Sequence, residues 1–391
     1  MSATYSPVPN KNITEIGQNM KVITNDKILK LNILIDEIRK ETGVPFLDVA
    51  AYKEYQSLYR YQSGGASGKE ILYMFSCGKP ITVTGAMRLV EKRLLGLDDK
   101  VCDYLPAVKN AFVIDENGNK VTVGENMTVR HLFTMSAGFP FGYSEEPVIK
   151  LAKENRNADL QDFICKFVET PLLFEPGKQF KYGLCHDVLG AVIEKVAGKT
   201  FAKYMEEEIF IPLNMNNSNF YNDEGGTEIL YMAREDDSIF EVSGTRLRVP
   251  TKKYQSGGGG LISTVDDYLK FATALASEGK AYNGYRVLGV DALKELTTPQ
   301  MEKVTVNNNF TCVQGEDYGY GLGVRVRNKD TAWGLRKGEF GWDGAAGSYV
   351  LIDPVNKATV FIGMHVRSWP YVFMEKHLKI VKGIYETFFT T

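Results

Sequence analysis

Segments of strand character stand at both ends of this 391-residue chain, and a long run of helical character separates them. Near the start, PFLDVAAYK, YQSLYRYQS and EILYMFS are short apolar or aromatic runs broken by Ser/Gly turns such as SGGASG, the pattern of an antiparallel meander. Near the end, YGLGVRV, AGSYVLIDP and KATVFIGMHV repeat it. A single sheet built from both termini must take the middle of the chain as an insertion. The expected fold class is α/β of the α+β kind: an antiparallel sheet flanked by N- and C-terminal helices, with a mainly helical inserted domain. The boundaries predicted are a loose arm over residues 1–22, an α/β domain from 23–80 and 255–391, and the insertion over 81–254.

Periodicity places the helices. Ile28, Leu31, Ile33, Leu34, Ile35 and Ile38 approximate a helical stripe over Asp26–Thr42 that stops at Gly43. Val83, Met87, Val90 and Leu94 recur every three or four residues after Pro80. Further helices are expected over Thr128–Met135, Ala158–Val168, Asp187–Ala197 with Gly198 as stop, Val265–Ser277, and Tyr371–Phe388.

Composition excludes several function classes. Hydrophobic residues make up 44% and charged residues 24%, the usage of a folded globular protein. Forty-six basic against 48 acidic residues leave a net charge of −2, spread along the chain, so no phosphate-tracking surface and no nucleic-acid partner is expected. No uncharged apolar stretch reaches the roughly 18 residues that span a bilayer. The amino terminus has no cationic patch followed by an apolar run, so cytoplasm is the expected compartment. Cys77, Cys102, Cys165, Cys185 and Cys312 form no C-x-x-C pair, and His131, His186, His365 and His377 form no H-x-x-x-H pair. Neither a metal nor an organic cofactor is expected.

None of the sixteen serines lies in a G-x-S-x-G elbow. S-x-x-K occurs twice, at Ser76–Lys79 and Ser277–Lys280, where chance alone supplies roughly one such match. Ser277 falls at the end of a predicted helix, where the dipole disfavours an alkoxide. Ser76 ends the apolar run ILYMF and precedes a helix, whose positive end favours an ionising hydroxyl, and Lys79 lies one turn on. Pro80 costs little there, because the first-turn amide it lacks has no intrahelical partner. The fragment fits an N-cap serine with a solvated lysine equally well. A lysine acting as base must shed its proton, which asks for burial or neighbouring positive charge. Tyr182, on the loop Phe180–Asp187, is a candidate second group, although a tyrosine is more often simply packed; His186 is more often a hydrogen-bonded histidine than a base. Gly341–Ser348, a small-residue strand, would let a backbone amide there pair with that of Ser76 as an oxyanion hole, or is a bulge. The run Gly257–Gly260 lacks the GK[ST] of a phosphate loop and reads as a turn entering a strand.

These three elements and their surroundings resemble the serine β-lactamase and penicillin-binding superfamily, nearest the class C β-lactamases and the family VIII carboxylesterases. The likeness spans about residues 26 to 390. FSCGKPITVTGAMRLVEKRLLGLDDKVCDYLP resembles the nucleophile helix, and MTVRHLFTMSAGF, FEPGKQFKYGLCHDVLGAVIEKVAGKTFAKYMEEEIFIPLNM, GGGGLISTVDDYLKFATALASEGKAYNGYRVL and YGYGLGV resemble four further blocks. The resemblance implies Ser76 as acylated nucleophile, Lys79 as its proton acceptor, Tyr182 as proton shuttle, and the amides of Ser76 and Ala345 as oxyanion hole. It also implies substrate contacts from Leu184, His186, Trp342, Asp343 and Gly344.

Two positions depart from the β-lactamase pattern. Leu184 stands where Tyr-x-Asn has its amide, and Trp342-Asp343-Gly344 replaces Lys-Thr-Gly. An anionic lactam thereby loses two anchors, each worth about 1.5–3 kcal/mol. Asp343 would in addition repel carboxylates. The expected function is therefore a serine hydrolase for small-molecule ester, amide or lactam substrates, with esters favoured over lactams. A β-lactamase, a D-amino-acid peptidase or a transacylase is the alternative within the class, and a non-catalytic sensor is the rival outside it. A pure binder has no need of Ser76, Lys79 and Tyr182 together.

Overall fold

The computed structural model describes residues 24–220, 227–236, 238–242, 249–300, 317–368 and 375–390. The arm expected over residues 1–22, Cys312 and the first residues of the expected last helix lie outside these ranges. Seven antiparallel strands form the main sheet in the order Gln56–Ser63, Leu47–Lys53, Ala358–Gly363, Tyr349–Asp353, Phe340–Asp343, Arg325–Arg327, Tyr318–Tyr320. The first and last parts of the chain thus meet at the pairing of Leu47–Lys53 with Ala358–Gly363. This is the α+β class expected from the sequence.

The sheet is covered on both faces, and the two-residue period of its strands decides which side chain meets which layer. Val49, Ala51, Leu351, Val360 and Ile362 pack with Leu31, Ile35 and Ile38 of helix Asn25–Thr42 and with Ile380, Val381 and Ile384 of helix His377–Phe388. Ala50, Val350, Ile352 and Phe361 point the other way, into the cluster that contains Tyr268, Phe271 and Leu275 of helix Val265–Ala276. Double coverage explains why ATVFIG is buried at every position instead of alternating with polar residues. Gly43 and Gly198 stop their helices in the left-handed conformation, as their positions in the sequence suggest.

Beyond the sheet, helix Lys79–Glu91 packs against helix Cys185–Ala197, with Val129–Phe133 and Leu160–Phe167 beside it. The middle is not helical throughout: Phe112–Ile114 pairs with Lys120–Thr122, and Tyr231–Ala233 lies between Ile239–Glu241 and a parallel partner, Val366–Arg367. The expected single strand YGLGVRV is a hairpin. Its chain reverses between Tyr320 and Arg325 through Gly323 at φ +88°, where any Cβ would collide with Val83 of the helix Lys79–Glu91. Among the described residues no helix is long and apolar enough to cross a membrane.

Leu351 is fully buried between the sheet and the terminal helices. Leu351→Ala should lower the unfolding free energy by about 2–5 kcal/mol in a urea titration, and a loss under about 1 kcal/mol would show that the two terminal helices do not close a tight core.

Candidate active site

Strand Leu72–Tyr73 pairs with Ile262–Ser263, and the Met74 amide still donates to the Leu261 carbonyl at 2.9 Å. The chain then turns sharply. Phe75 holds φ at +45°, a conformation costing on the order of 1–3 kcal/mol for a residue with a Cβ. A 3₁₀ turn, Phe75–Gly78, leads directly into helix Lys79–Glu91, with Pro80 in its first turn. Ser76 therefore sits half-buried on the turn, and the N-cap position falls to Gly78 without a side-chain cap. The N-cap reading of Ser76 is set aside by this geometry. Ser277, by contrast, closes helix Val265–Ala276 as expected.

Lys79 is no solvated side chain: it is only 3% exposed. Its Nζ donates to Ser76 Oγ at 3.1 Å and to the carbonyl of Gly258, and it lies 4.7 Å from the centroid of the Tyr182 ring. One hydrogen given to the carbonyl fixes the amine's orientation and leaves the nitrogen turned to the hydroxyl.

Tyr182 reaches the same point from a loop strapped along residues 135–140. The Lys181 amide donates to Met135 O at 2.9 Å and the Leu184 amide to Pro140 O at 3.1 Å, and a Cβ at Gly183 would collide with Phe139 O. The phenol oxygen accepts a hydrogen bond from Trp342 Nε1 at 3.2 Å, and the two rings stack at 5.8 Å with a 12° interplanar angle. Tyr320 braces Trp342 edge-on at 5.4 Å, and the exposed Phe141 stands 6.0 Å from Tyr182 on the solvent side. Thus Trp342 acts on Tyr182, holding its hydroxyl.

Strand Phe340–Asp343 delivers the remaining candidates. A Cβ on Gly344 would collide with the carbonyl oxygen of Met74, so this glycine is required by the close approach of two backbones and not by a ligand. Ala345, just beyond, is exposed. Asp343 needs correction as a substrate contact. Phe340 and Trp342 belong to the core on the helical side, whereas Tyr349, the register partner of Asp343, belongs to the terminal-helix core. Alternation turns Asp343 away from Tyr182, and its carboxylate acts on the buried Arg325 guanidinium. Leu184 and His186 are buried as well. Leu184 is buried at the start of helix Cys185–Ala197, and His186 is 0% exposed with Nε2 on Phe133 O at 3.2 Å. Burial, with Lys79 adding to it, pushes His186 down to about 3, so its imidazole stays neutral.

Two groups escaped the sequence reading. Gly258 supplies the carbonyl that holds Lys79, and a Cβ there would come within 2.7 Å of Asp187 Oδ2 and 3.6 Å of Lys79 Nζ. Asp187, 2% exposed, puts a carboxyl beside the amine; burial raises its pKa, opposed by the Ser256 hydrogen bond and the Lys79 charge. The four-glycine run was the available signal for the first, since glycine permits such close approach. Nothing in one sequence distinguishes Asp187 from other helix-opening acids. Among the described residues no group of three His, Cys, Asp or Glu side chains could hold a metal ion.

The profile of the Beta-lactamase family matches residues 31–378. The chain belongs to that family. Protein Rv1367c of Mycobacterium tuberculosis is 26% identical over 299 residues, covering 71% of this chain and 73% of its own. Esterase EstB of Burkholderia gladioli is 26% identical over 249 residues, 57% and 62% of the two chains. The solved structure of EstCE1, described as a hydrolase with promiscuous acyltransferase activity, superposes with a TM-score of 0.75 at 22% identity, over 92% of this chain and 99% of that one. At that identity the superposition speaks for the fold alone.

Because the obstacle at Gly344 is backbone, Gly344→Ala should force the strand and the Met74–Ser76 segment apart. A loss of about 1–3 kcal/mol is expected, read as a fall of several degrees in thermal midpoint; an unchanged midpoint would show that the two segments are not in contact.

Proposed function

We propose that this protein is a serine hydrolase that cleaves small esters through an acyl-enzyme on Ser76. The observation that carries the reading is the buried Lys79 amine 3.1 Å from the Ser76 hydroxyl. Ser76 Oγ attacks the ester carbonyl while its proton passes to Lys79 Nζ, so a C–O bond forms as the O–H bond breaks. The oxyanion is received by the amides of Ser76 and Ala345, which stand on two segments held together at Gly344 and Met74. Tyr182, its oxygen held by Trp342 Nε1, gives its phenolic proton to the departing alkoxide and regains one from Lys79, which carries the serine proton. In the second half the same groups deprotonate water, which displaces Ser76 from the acyl carbon.

Three features favour esters over lactams. Leu184 is buried where a lactam-binding amide would stand, Trp342 occupies the place of a carboxylate-binding lysine, and the Trp342 indole is engaged with Tyr182. The name of one relative, Esterase EstB, agrees. An alcohol entering in place of water would make the same acyl-enzyme an acyl donor.

Treatment with a fluorophosphonate probe should leave its adduct on Ser76, and Ser76→Ala should lose both adduct and turnover while its thermal midpoint stays within a few degrees. Turnover near wild type in that variant would sink the assignment. In steady state, p-nitrophenyl butyrate should be hydrolysed faster than nitrocefin; the reverse order would overturn the substrate ranking. Trp342→Phe keeps an aromatic stack but removes the donor to Tyr182. A roughly tenfold fall in kcat is expected, the effect of one hydrogen bond of about 1.4 kcal/mol, and an unchanged kcat would show that the indole does not hold the phenol.

A further inference from the structure

His365 plays no part in the proposed chemistry, yet it stands where three backbone segments of the site converge. It is 1% exposed, just beyond strand Ala358–Gly363. The Tyr73 amide donates to its Nε2 at 3.1 Å, and its Nδ1 faces the Ile229 carbonyl at 3.2 Å. An amide only donates, so Nε2 must be the bare nitrogen and Nδ1 carries the hydrogen given to Ile229. Burial pushes the pKa of the imidazole down to about 4, which keeps the ring in this neutral form at neutral pH. The main chain adds two more ties. The His365 carbonyl accepts from the Tyr231 amide at 2.9 Å, and the amide of the next residue, Val366, donates to the Ala346 carbonyl at 2.9 Å.

Tyr73 is three residues before Ser76, and Ala346 is the neighbour of Ala345. The two segments carrying the amides assigned to the oxyanion hole are therefore both hydrogen-bonded to the dipeptide His365–Val366. The ring of His365 also lies 5.6 Å from that of Tyr73, which touches Phe75 at 6.2 Å. A hydrophobic side chain could fill the same volume, and Tyr73, Leu230, Ile262 and Ala346 around it already form an apolar cluster. What such a side chain lacks is the acceptor for the Tyr73 amide.

We propose that His365 is a positioning residue for the reaction: its ring, oriented by the Ile229 carbonyl, accepts from the Tyr73 amide while the adjoining Val366 amide holds the Ala346 carbonyl, so that the Ser76 segment stays in register with the Ala345 segment. This inference rests on the serine-hydrolase reading above. The role belongs to transition-state stabilisation, because an oxyanion hole out of register weakens binding of the tetrahedral oxygen more than binding of the ester. Loss of His365 should accordingly lower kcat and spare KM.

Three variants test it with p-nitrophenyl butyrate and the fluorophosphonate probe. His365→Gln retains an acceptor near the Nε2 position, His365→Asn retains a donor near Nδ1 but no acceptor for Tyr73, and His365→Phe retains only volume. Expected is a kcat within threefold of wild type for His365→Gln, a loss of tenfold or more for the other two, KM within twofold throughout, and a parallel slowing of labelling at Ser76. Circular dichroism establishes that each variant is folded at the assay temperature. Wild-type kcat in folded His365→Phe overturns the proposal. Should His365→Phe not fold, equal kcat in the Gln and Asn variants overturns it instead. Absence of a Ser76 adduct in the wild type would remove the serine-hydrolase reading itself, whereas a normal wild-type adduct with unaffected variants removes only the role of His365.

Discussion

A lysine amine withdrawn from water and set one turn beyond a serine hydroxyl is the constraint around which this molecule is arranged. Taking a cationic group from water into a protein interior is costly unless it is paired and hydrogen-bonded, or gives up its proton. Here the surroundings offer Lys79 a carbonyl from Gly258, a nearby carboxyl from Asp187 and the face of Tyr182. Burial raises the pKa of the Asp187 carboxyl, opposed by the Ser256 hydrogen bond and the Lys79 charge.

The elements that achieve this come from distant parts of the chain. Ser76 and Lys79 share one turn, but Tyr182 comes from a loop laid along residues 135–140, Gly258 from a glycine-rich turn, and Trp342 from a strand nearer the end. Sheet alternation then sorts the last contribution. Trp342 faces the phenol while Asp343, the next residue, looks toward Arg325 and the terminal helices. The Asp343 carboxylate acts on the buried Arg325 guanidinium and on Cys77.

Much of the fold was legible because it is written in local terms. Helix stripes and their glycine stops, as at Gly43 and Gly198, depend on neighbours within a turn, and a central strand such as Ala358–Gly363 is apolar because both faces of its sheet are covered. The hairpin at Gly323 was not legible in that way. Its reversal answers to a collision with Val83, some 240 residues earlier in the chain. For His186 and Leu184 a motif position names a neighbour of Tyr182 but not the direction its side chain takes once a helix begins at Cys185.

The sequence by itself determined where the candidate groups lie along the chain: a serine and a lysine three residues apart after an apolar run, a tyrosine ahead of a helix, and an indole in a glycine-rich strand. Spacing along the chain is enough for this, since one turn of helix brings its third neighbour onto the same face. Only the tertiary structure decided that the lysine is dry, that its companions are Gly258 and Asp187, and that Asp343 points away. Burial and electrostatic pairing are set by segments remote in sequence, and no local pattern encodes which of them will arrive.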